Sequence, residues 1–243
     1  LMNHQIDGLI AIGGDGTFTG ASILSAEMKI PVIGIPGTID NDIYGTDRTI
    51  GFDTALNTVV SSVDKIRDTA SSHHRVFFVE VMGRNSGFIA LNSAIASGIN
   101  IVLIPEHKTN IEEIAQQIKS QSELKKSTII IVAEGSKEGG AAEVAAKVKE
   151  KFDYDTRVVV LGHVQRGGSP TCMERVRASQ MGMAAIEALV NGKKNVMIGI
   201  VDKKIALAVY NKLQKEKKIS LTEWNQITVN QIIILFKLAN INL

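Results

Sequence analysis

Five short stretches of the sequence combine glycine with charged or hydroxylated residues in patterns that suit phosphate chemistry. In order they read GGDGT from Gly13, PGTIDND from Pro36, MGRNSG from Met82, EGS from Glu134 and GHVQRGGSP from Gly162. Glycine lets a backbone approach phosphate oxygens, arginine gives bidentate charged hydrogen bonds, and aspartate can hold Mg2+ or act as a base. The set indicates a protein that handles phosphate groups.

Each stretch follows a predicted strand. Short apolar runs predict strands at residues 8–12, 31–35, 76–81, 101–104, 128–133, 157–161 and 196–200. Helical periodicity predicts helices at residues 21–28, 52–71, 87–97, 111–121, 141–151 and 173–190. This alternation predicts an α/β fold with a mainly parallel sheet, in which ligands bind at the carboxyl ends of the strands. The five stretches are therefore expected at the ligand-binding edge.

Composition narrows the class of protein. The 243 residues are 44% hydrophobic and 21% charged, with a net charge of +2. These values predict a folded protein without the basic surface that nucleic acids require. The single cysteine, Cys172, excludes a disulfide framework, and we expect it to be a small packing residue. No apolar run reaches the ~20 residues of a membrane span, so the expected compartment is the cytoplasm.

Each motif also has a purely structural interpretation. Gly14 and Gly16 can simply make a tight turn between a strand and a helix, and Asp40 and Asp42 can be turn or helix-capping residues. His163 alone can be a hydrogen-bonded structural residue. The residues by themselves leave these alternatives open.

Taken in order, the motifs resemble one family. The segment GIPGTIDNDIYGTDRTIGFDTA at residues 34–55 is similar to the catalytic segment of 6-phosphofructokinases of the ATP-dependent bacterial type. The later stretches HHRVFFVEVMGR, VAEGS and TRVVVLGHVQRGGSP resemble the sugar-phosphate segments of that family. The resemblance covers residues 5–220. It implies two similar three-layer Rossmann-like subdomains: residues 1–51 with 164–215 on the nucleotide and magnesium side, and residues 52–163 with 216–243 on the sugar-phosphate and effector side.

The resemblance also implies an activity. The enzyme would transfer the γ-phosphate of ATP to the 1-hydroxyl of fructose 6-phosphate, the committed step of glycolysis. Asp40 would be the general base, Thr38 and Asp42 would orient the reacting groups, and Arg84 would neutralise charge on the transferred phosphoryl group. Around the nucleotide phosphates and Mg2+, the implied residues are Gly14, Asp15, Gly16 and Thr17, with Asp15 as the Mg2+ ligand.

The implied sugar-phosphate site draws on several loops and on a second subunit. Its residues are Thr38, Ile39, Asp40, Met82, Gly83, Arg84, Glu134, His163 and Arg166, joined by Arg75 and Arg157 from a neighbouring subunit. The family resemblance thus implies a homotetramer with shared active sites. Arg67, Lys125 and Lys126 fall where effector phosphates bind in bacterial members, although Asn100 replaces an acidic residue that many of them use. For Lys125 and Lys126 the favoured alternative is that they are solvated surface lysines.

Two positions separate ATP users from pyrophosphate users in this family. Pyrophosphate users typically have aspartate where this chain has Gly16 and lysine where it has Gly37, so the resemblance favours ATP. A glycine-rich turn and an arginine loop that precede DGLIAIGGDG in the family are not among these 243 residues. We therefore expect the chain to lack part of the ATP site and, by itself, to be inactive or insoluble.

Other functions remain as alternatives. A pyrophosphate-dependent enzyme and a non-catalytic phosphofructokinase-like subunit share the fold. NAD kinases and diacylglycerol-type lipid kinases share GGDGT but lack PGTIDND and GHVQRGGSP. An NAD-binding Rossmann domain would need an acidic residue at the end of the second strand, where Pro36, Gly37 and Thr38 stand instead. We assign no role to the segment after Glu223.

Overall fold

The computed structural model describes residues 6–70, 75–123, 127–152 and 154–209. Within those residues the strands are β1 (Leu9–Gly13), β2 (Val32–Thr38), β3 (Ile50–Gly51), β4 (Val76–Val81), β5 (Ile101–Leu103), β6 (Thr128–Ala133), β7 (Thr156–Val160), β8 (Val196–Val201) and β9 (Lys204–Val209). The helices are α1 (Asp15–Met28), α2 (Phe52–Ala70), α3 (Phe88–Ala96), α4 (Ile111–Glu123), α5 (Ala141–Lys149) and α6 (Cys172–Val190), with a 3-10 helix at Gly162–Arg166.

The chain divides into two compact units. The first contains the residues up to Thr54 and resumes at Ser169, and the second runs from Ala55 to Gly168. The boundary between Thr54 and Ala55 thus falls in the first turn of α2. The expected placement of residues 216–243 lies outside the described residues, and the assignment of one subdomain to nucleotide and the other to sugar phosphate stays a prediction.

The first unit is a sheet with helices on both faces. Its strand order is β1-β2-β8-β9, with β3 beside β2, and every pair is parallel except β8 with β9. Strand β2 is buried on both faces. Val32 packs with Phe18 and Ala21 of α1, whereas Ile33 and Ile35 pack with α6. This two-sided burial explains why β2 is an unbroken apolar run.

The second unit repeats this arrangement with an all-parallel sheet of order β5-β6-β4-β7. Phe78 of β4 and Val132 of β6 pack against apolar residues of α4 and α5, while α3 contacts β5 and β6. Both units confirm the expected α/β class with mainly parallel sheets. None of the helices among the described residues has the length and apolar character needed to cross a membrane.

Several local expectations differ from the structure. Helix α1 begins at Asp15 rather than at Ala21, and strands β3 and β9 were not expected. Cys172 is an exposed free thiol at the first position of α6, not a packing residue. The stretch that follows Leu161, expected as a loop, forms the 3-10 helix.

Candidate functional site

A buried turn follows β2 and carries Asp40. Asp40 and Asn41 are 3% and 2% exposed, and Asp42 is half-buried. The backbone N–H of Asp40 donates to Oγ1 of Thr38 at 3.3 Å. Asn41 has a φ of 53°, a left-handed conformation that asparagine adopts more readily than most residues. The turn therefore holds Asp40 in a defined position.

Thr49 closes this turn from the other side. Its N–H donates to Oδ1 of Asn41 at 2.9 Å, and its hydroxyl donates to the carbonyl oxygen of Thr38 at 2.6 Å. The side-chain amide of Asn41 also donates to the carbonyl oxygen of Asp47 at 3.2 Å. Residues 38–49 therefore form one hydrogen-bonded loop around Asp40.

The glycine-rich stretch after β1 forms the N-terminus of a helix. Gly14 is the N-cap of α1, and Asp15 lies in its first turn. The sequence placed this start six residues too late, because glycines at positions 14, 16 and 20 weaken the helical signal. The first N–H groups of a helix lack partners within it and attract anions. Asp15, Gly16 and Thr17 are exposed there, so this end can receive a phosphate group.

The glycine loop lies beside the Asp40 turn, within the first unit. A Cβ on Gly14 would lie 3.5 Å from Cβ of Thr38. A Cβ on Gly16 would meet no described atom within 4 Å, whereas one on Gly37 would lie 3.0 Å from Cγ2 of Ile12. Packing among the described residues therefore does not require glycine at position 16, and a larger residue at position 37 would have to displace Ile12.

The half-buried Arg48 lies in the same loop as Asp40. The guanidinium of Arg48 lies 5.0 Å from the ring centroid of Phe52. Burial, and secondly the positive charge of Arg177, lower the pKa of Arg48. Within the described parts of the chain, no group of three or more histidine, cysteine, aspartate or glutamate side chains could hold a metal ion.

In the second unit, two of the motif loops are fitted together. Oε1 of Glu134 accepts from the N–H groups of Gly83 and Arg84 at 3.2 and 2.7 Å. Arg84 has a φ of 52°, which is strained for a residue with a long side chain, and a Cβ on Gly135 would overlap its carbonyl oxygen. Glu134 thus fixes the backbone of Arg84, a contact that the sequence did not reveal.

The GHVQRGGSP motif joins the same edge of that unit. Gln165 is 1% exposed; its Oε1 accepts from the N–H of Met82 at 3.2 Å, and its Nε2 donates to the carbonyl oxygen of Gly162 at 3.1 Å. His163 and Arg166 are exposed on the same 3-10 helix. Sequence reasoning missed Gln165, whose only signal was its place between His163 and Arg166.

The two arginines assigned to a neighbouring subunit share one carboxylate. Nε of Arg75 donates to Oδ2 of Asp155 at 2.7 Å, and Arg157 donates to Oδ1 of the same residue. The hydrogen bond from Arg75, supported by the charge of Arg157, lowers the pKa of Asp155. The structure therefore brings Arg75 and Arg157 together through Asp155, which the sequence did not indicate.

The expected effector residues are only partly described. Arg67 is exposed, and its Nη1 lies 3.7 Å from Oδ1 of Asp64. Its Nη2 donates to the carbonyl oxygen of Ser97. Lys125 and Lys126 lie outside the described residues, and Asn100 is exposed. The effector site stays a prediction.

Comparison with known proteins gives consistent matches. The family model described as phosphofructokinase matches residues 1–189. ATP-dependent 6-phosphofructokinase 2 of Bacteroides thetaiotaomicron is 54% identical over 220 residues, which is 90% of this chain and 68% of that protein. ATP-dependent 6-phosphofructokinase 1 of Thermus thermophilus is 52% identical over 214 residues, covering 88% of this chain and 66% of that protein.

Solved structures agree. Phosphofructokinase from Saccharomyces cerevisiae matches with a TM-score of 0.81 and 31% identity, over 88% of this chain and 33% of the yeast chain. Pyrophosphate-dependent phosphofructokinase from Marinobacter aquaeolei matches with a TM-score of 0.79 and 25% identity, over 89% of this chain and 62% of that one. The chain thus spans 66–68% of the two bacterial relatives and a smaller share of these solved chains.

Proposed function

The chain belongs to the phosphofructokinase family, and we propose on that premise that the full-length protein transfers the γ-phosphoryl group of ATP to the 1-hydroxyl of fructose 6-phosphate. The products are ADP and fructose 1,6-bisphosphate, which makes this the committed step of glycolysis. The observation that carries the proposal is the buried, hydrogen-bonded Asp40 turn beside the glycine-flanked start of α1.

Asp40 is the proposed general base. Phosphoryl transfer depends mainly on positioning and on stabilising charge, so the base must be held at one place. The burial of Asp40 and the bonds that Thr49 makes on both sides of it support this role. Asp40 takes the proton of the 1-hydroxyl as that oxygen attacks, while Thr38, Ile39 and Asp42 contact and orient the sugar.

The start of α1 is the proposed site for the phosphates of ATP and for Mg2+. Mg2+ keeps several waters and binds one or two carboxylates together with substrate phosphates, rather than a cage of protein ligands. A single exposed carboxylate at a helix N-terminus, that of Asp15, fits this mode. When bound, Mg2+ would neutralise charge on the phosphates. Gly14, Gly16 and Thr17 let the nucleotide approach the backbone.

The loops of the second unit are the proposed sugar-phosphate site. His163 and Arg166 bind the 6-phosphate, and Arg84 neutralises charge that develops on the transferred group. Met82, Gly83 and Glu134 border the sugar, with Glu134 also fixing the Arg84 backbone. The exposure of the His163, Arg166 and Arg84 side chains supports these roles, since each can reach an anion.

We also extend the proposal to assembly, compartment and regulation. Arg75 and Arg157 reach the 6-phosphate of a neighbouring subunit in a homotetramer, and their shared contact with Asp155 supports a common target. The proposed compartment is the cytoplasm. Arg67, Lys125 and Lys126 are proposed to bind an effector phosphate, with the first subdomain serving the nucleotide and the second serving the sugar phosphate.

The donor can be tested directly. We expect faster turnover of fructose 6-phosphate with Mg-ATP than with Mg-pyrophosphate in a coupled assay of the full-length protein, because Gly16 and Gly37 lack the side chains of pyrophosphate users. Faster turnover with pyrophosphate would contradict the ATP assignment.

A matched pair of variants tests the phosphate site. Gly16→Asp should lower kcat/KM for ATP by about ten-fold or more, since like charges ~4 Å apart repel by roughly 1–4 kcal/mol. Gly20→Asp is the control, because it adds the same charge one helical turn later, also where no described atom lies within 4 Å. Equal losses in both variants would argue against phosphate binding at Gly16.

A further inference from the structure

One buried carboxylate lies in the first unit outside the residues proposed so far. Glu174, in the first turn of α6, is 2% exposed. Its Oε1 accepts from the N–H groups of Gly51 and Asp53 at 2.7 and 3.0 Å, and its Oε2 accepts from the hydroxyl of Thr54. Burying a carboxylate is unfavourable unless hydrogen bonds compensate for the lost water. All these donors lie on β3 or the first turn of α2.

A second contact makes the connection reciprocal. Thr171 is the N-cap of α6 and accepts from the N–H of Glu174 at 3.2 Å. The hydroxyl of Thr171 also donates to Oδ2 of Asp53 at 2.6 Å. The starts of α6 and α2 are therefore joined by hydrogen bonds in both directions. Glu174 also accepts from N–H groups at the start of α2 that have no partner within that helix.

From β3 the connection continues to the Asp40 turn. Gly51 of β3 pairs with Thr38 at the end of β2. Thr49, which directly precedes β3, bonds the carbonyl oxygen of Thr38 and the side chain of Asn41. Thr38 and Asn41 stand on either side of Asp40. A shift of β3 would therefore move both supports of Asp40.

We infer that Glu174 is a positioning residue for the Asp40 turn: its carboxylate fixes β3 and the start of α2, and β3 fixes the segment that carries the base. Glu174 contacts Gly51 of β3, and it acts on Asp40 through that strand. The inference rests on the proposed function only in that it takes Asp40 to be the general base.

The decisive variant is Glu174→Ala in the full-length protein. It should lower kcat about 100-fold, the effect expected when a catalytic group is displaced by about 1 Å, while KM for fructose 6-phosphate, to which Thr38 also contributes, should change by a much smaller factor. Glu174→Gln should recover most of kcat, because its amide oxygen can accept hydrogen bonds from the same two N–H groups, those of Gly51 and Asp53. Val144→Ala, in the buried core of the second unit, controls for lost stability and should lower Tm without lowering kcat of the folded enzyme.

Thr54→Val keeps the inference testable if Glu174→Ala does not fold. It removes one donor to Glu174 and should lower kcat about three- to ten-fold, the equivalent of one hydrogen bond. Unchanged kcat together with a lower Tm, in Glu174→Ala or in Thr54→Val, would reduce Glu174 to a structural role and overturn the inference. A wild-type protein that does not phosphorylate fructose 6-phosphate would instead overturn the proposed function.

Discussion

The two units present their proposed site residues in opposite ways. In the first, the proposed general base is itself buried: Asp40 is 3% exposed in a turn that Thr49 closes. In the second, Glu134 and Gln165 accept hydrogen bonds from the backbone of Arg84 and Met82, while the side chains of Arg84 and Arg166 are exposed. In the first unit the hydrogen bonds therefore hold the proposed base itself, whereas in the second they hold the backbone from which the proposed phosphate-binding side chains extend.

This difference has a physical reason. A base acts on one proton and loses efficiency when it moves by a fraction of an ångström. A cation that binds phosphate acts over a longer distance and can adapt its side chain. Substitutions in the buried turn should therefore lower kcat, whereas substitution of Arg166, which is proposed to bind the 6-phosphate, should mainly raise KM.

The largest effect is expected at the base. Asp40→Ser should lower kcat by about 100- to 10,000-fold, the usual contribution of a general base, while fructose 6-phosphate still binds. Steady-state kinetics and a binding titration measure the two quantities separately. The matched control is Asp7→Ser, which removes an exposed aspartate and should leave kcat unchanged. Retained turnover in Asp40→Ser would exclude Asp40 as the base.

The next effect tests the other unit. Arg166→Ala should raise KM for fructose 6-phosphate by about 10- to 100-fold, since one hydrogen bond to a charged group contributes roughly 1.5–3 kcal/mol. The change in kcat should be much smaller. Lys149→Ala removes an exposed cation from the end of α5 and serves as the control. If kcat fell more than KM rose, the proposed difference between the units would be wrong.

A smaller effect is expected at the support of the turn. Thr49→Val removes the donor to the carbonyl oxygen of Thr38, which should lower the free energy of unfolding by about 1–3 kcal/mol. Urea unfolding measures this, and kcat should fall with it. The control is the exposed Thr69→Val on α2, where we expect a change within about 0.5 kcal/mol. Equal changes at both threonines would mean that Thr49 does not brace the turn.

Much of the fold could be predicted from the sequence because buried strands and amphipathic helices have strong patterns. The limits of β6 and the start of α2 follow directly from apolar runs and helical spacing. Strand β9 was missed because its hairpin turns at Asp202 and Lys203, both at positive φ. Two-residue hairpin turns of this conformation usually carry Asn-Gly or Asp-Gly, and the pair Asp202-Lys203 has no glycine to mark the turn.

The candidate site was predictable in its residue types but not in their supports. Motif order identified the loops that carry Asp40, Arg84 and Arg166. Glu134 and Gln165, which support the Arg84 loop, lie inside the motifs, but nothing in the motifs marked either as a support.

Thr49 and Glu174, which act on the Asp40 turn, lie outside the five stretches. Glu174 contacts Gly51 from 123 positions away in the chain. Such a contact depends on how helices and strands pack, which local patterns do not encode.

The smallest effect concerns two carboxylates of the second unit and their dependence on pH. Contacts with Arg75 and Arg157 lower the pKa of Asp155. A folded-state pKa below the unfolded one adds stability above the unfolded pKa, and this stability is lost as pH falls through the folded pKa. Wild-type protein should therefore have a slightly higher Tm than Asp155→Asn near neutral pH, and the two should converge on acidification.

The stability that Glu106 contributes should change with pH in the opposite direction. Burial raises its pKa, although it accepts from the N–H of Gly87. Stability relative to Glu106→Gln is then greatest below the unfolded pKa and is lost as pH rises through the folded value. Thermal unfolding of the wild type and both variants across pH 2–7 separates the cases. Because Asp155 and Arg157 are exposed and Arg75 is only half-buried, the effect of Asp155 should be the smaller. If the difference in Tm from wild type changed with pH in the same direction for both variants, burial and ion pairing would not distinguish these carboxylates.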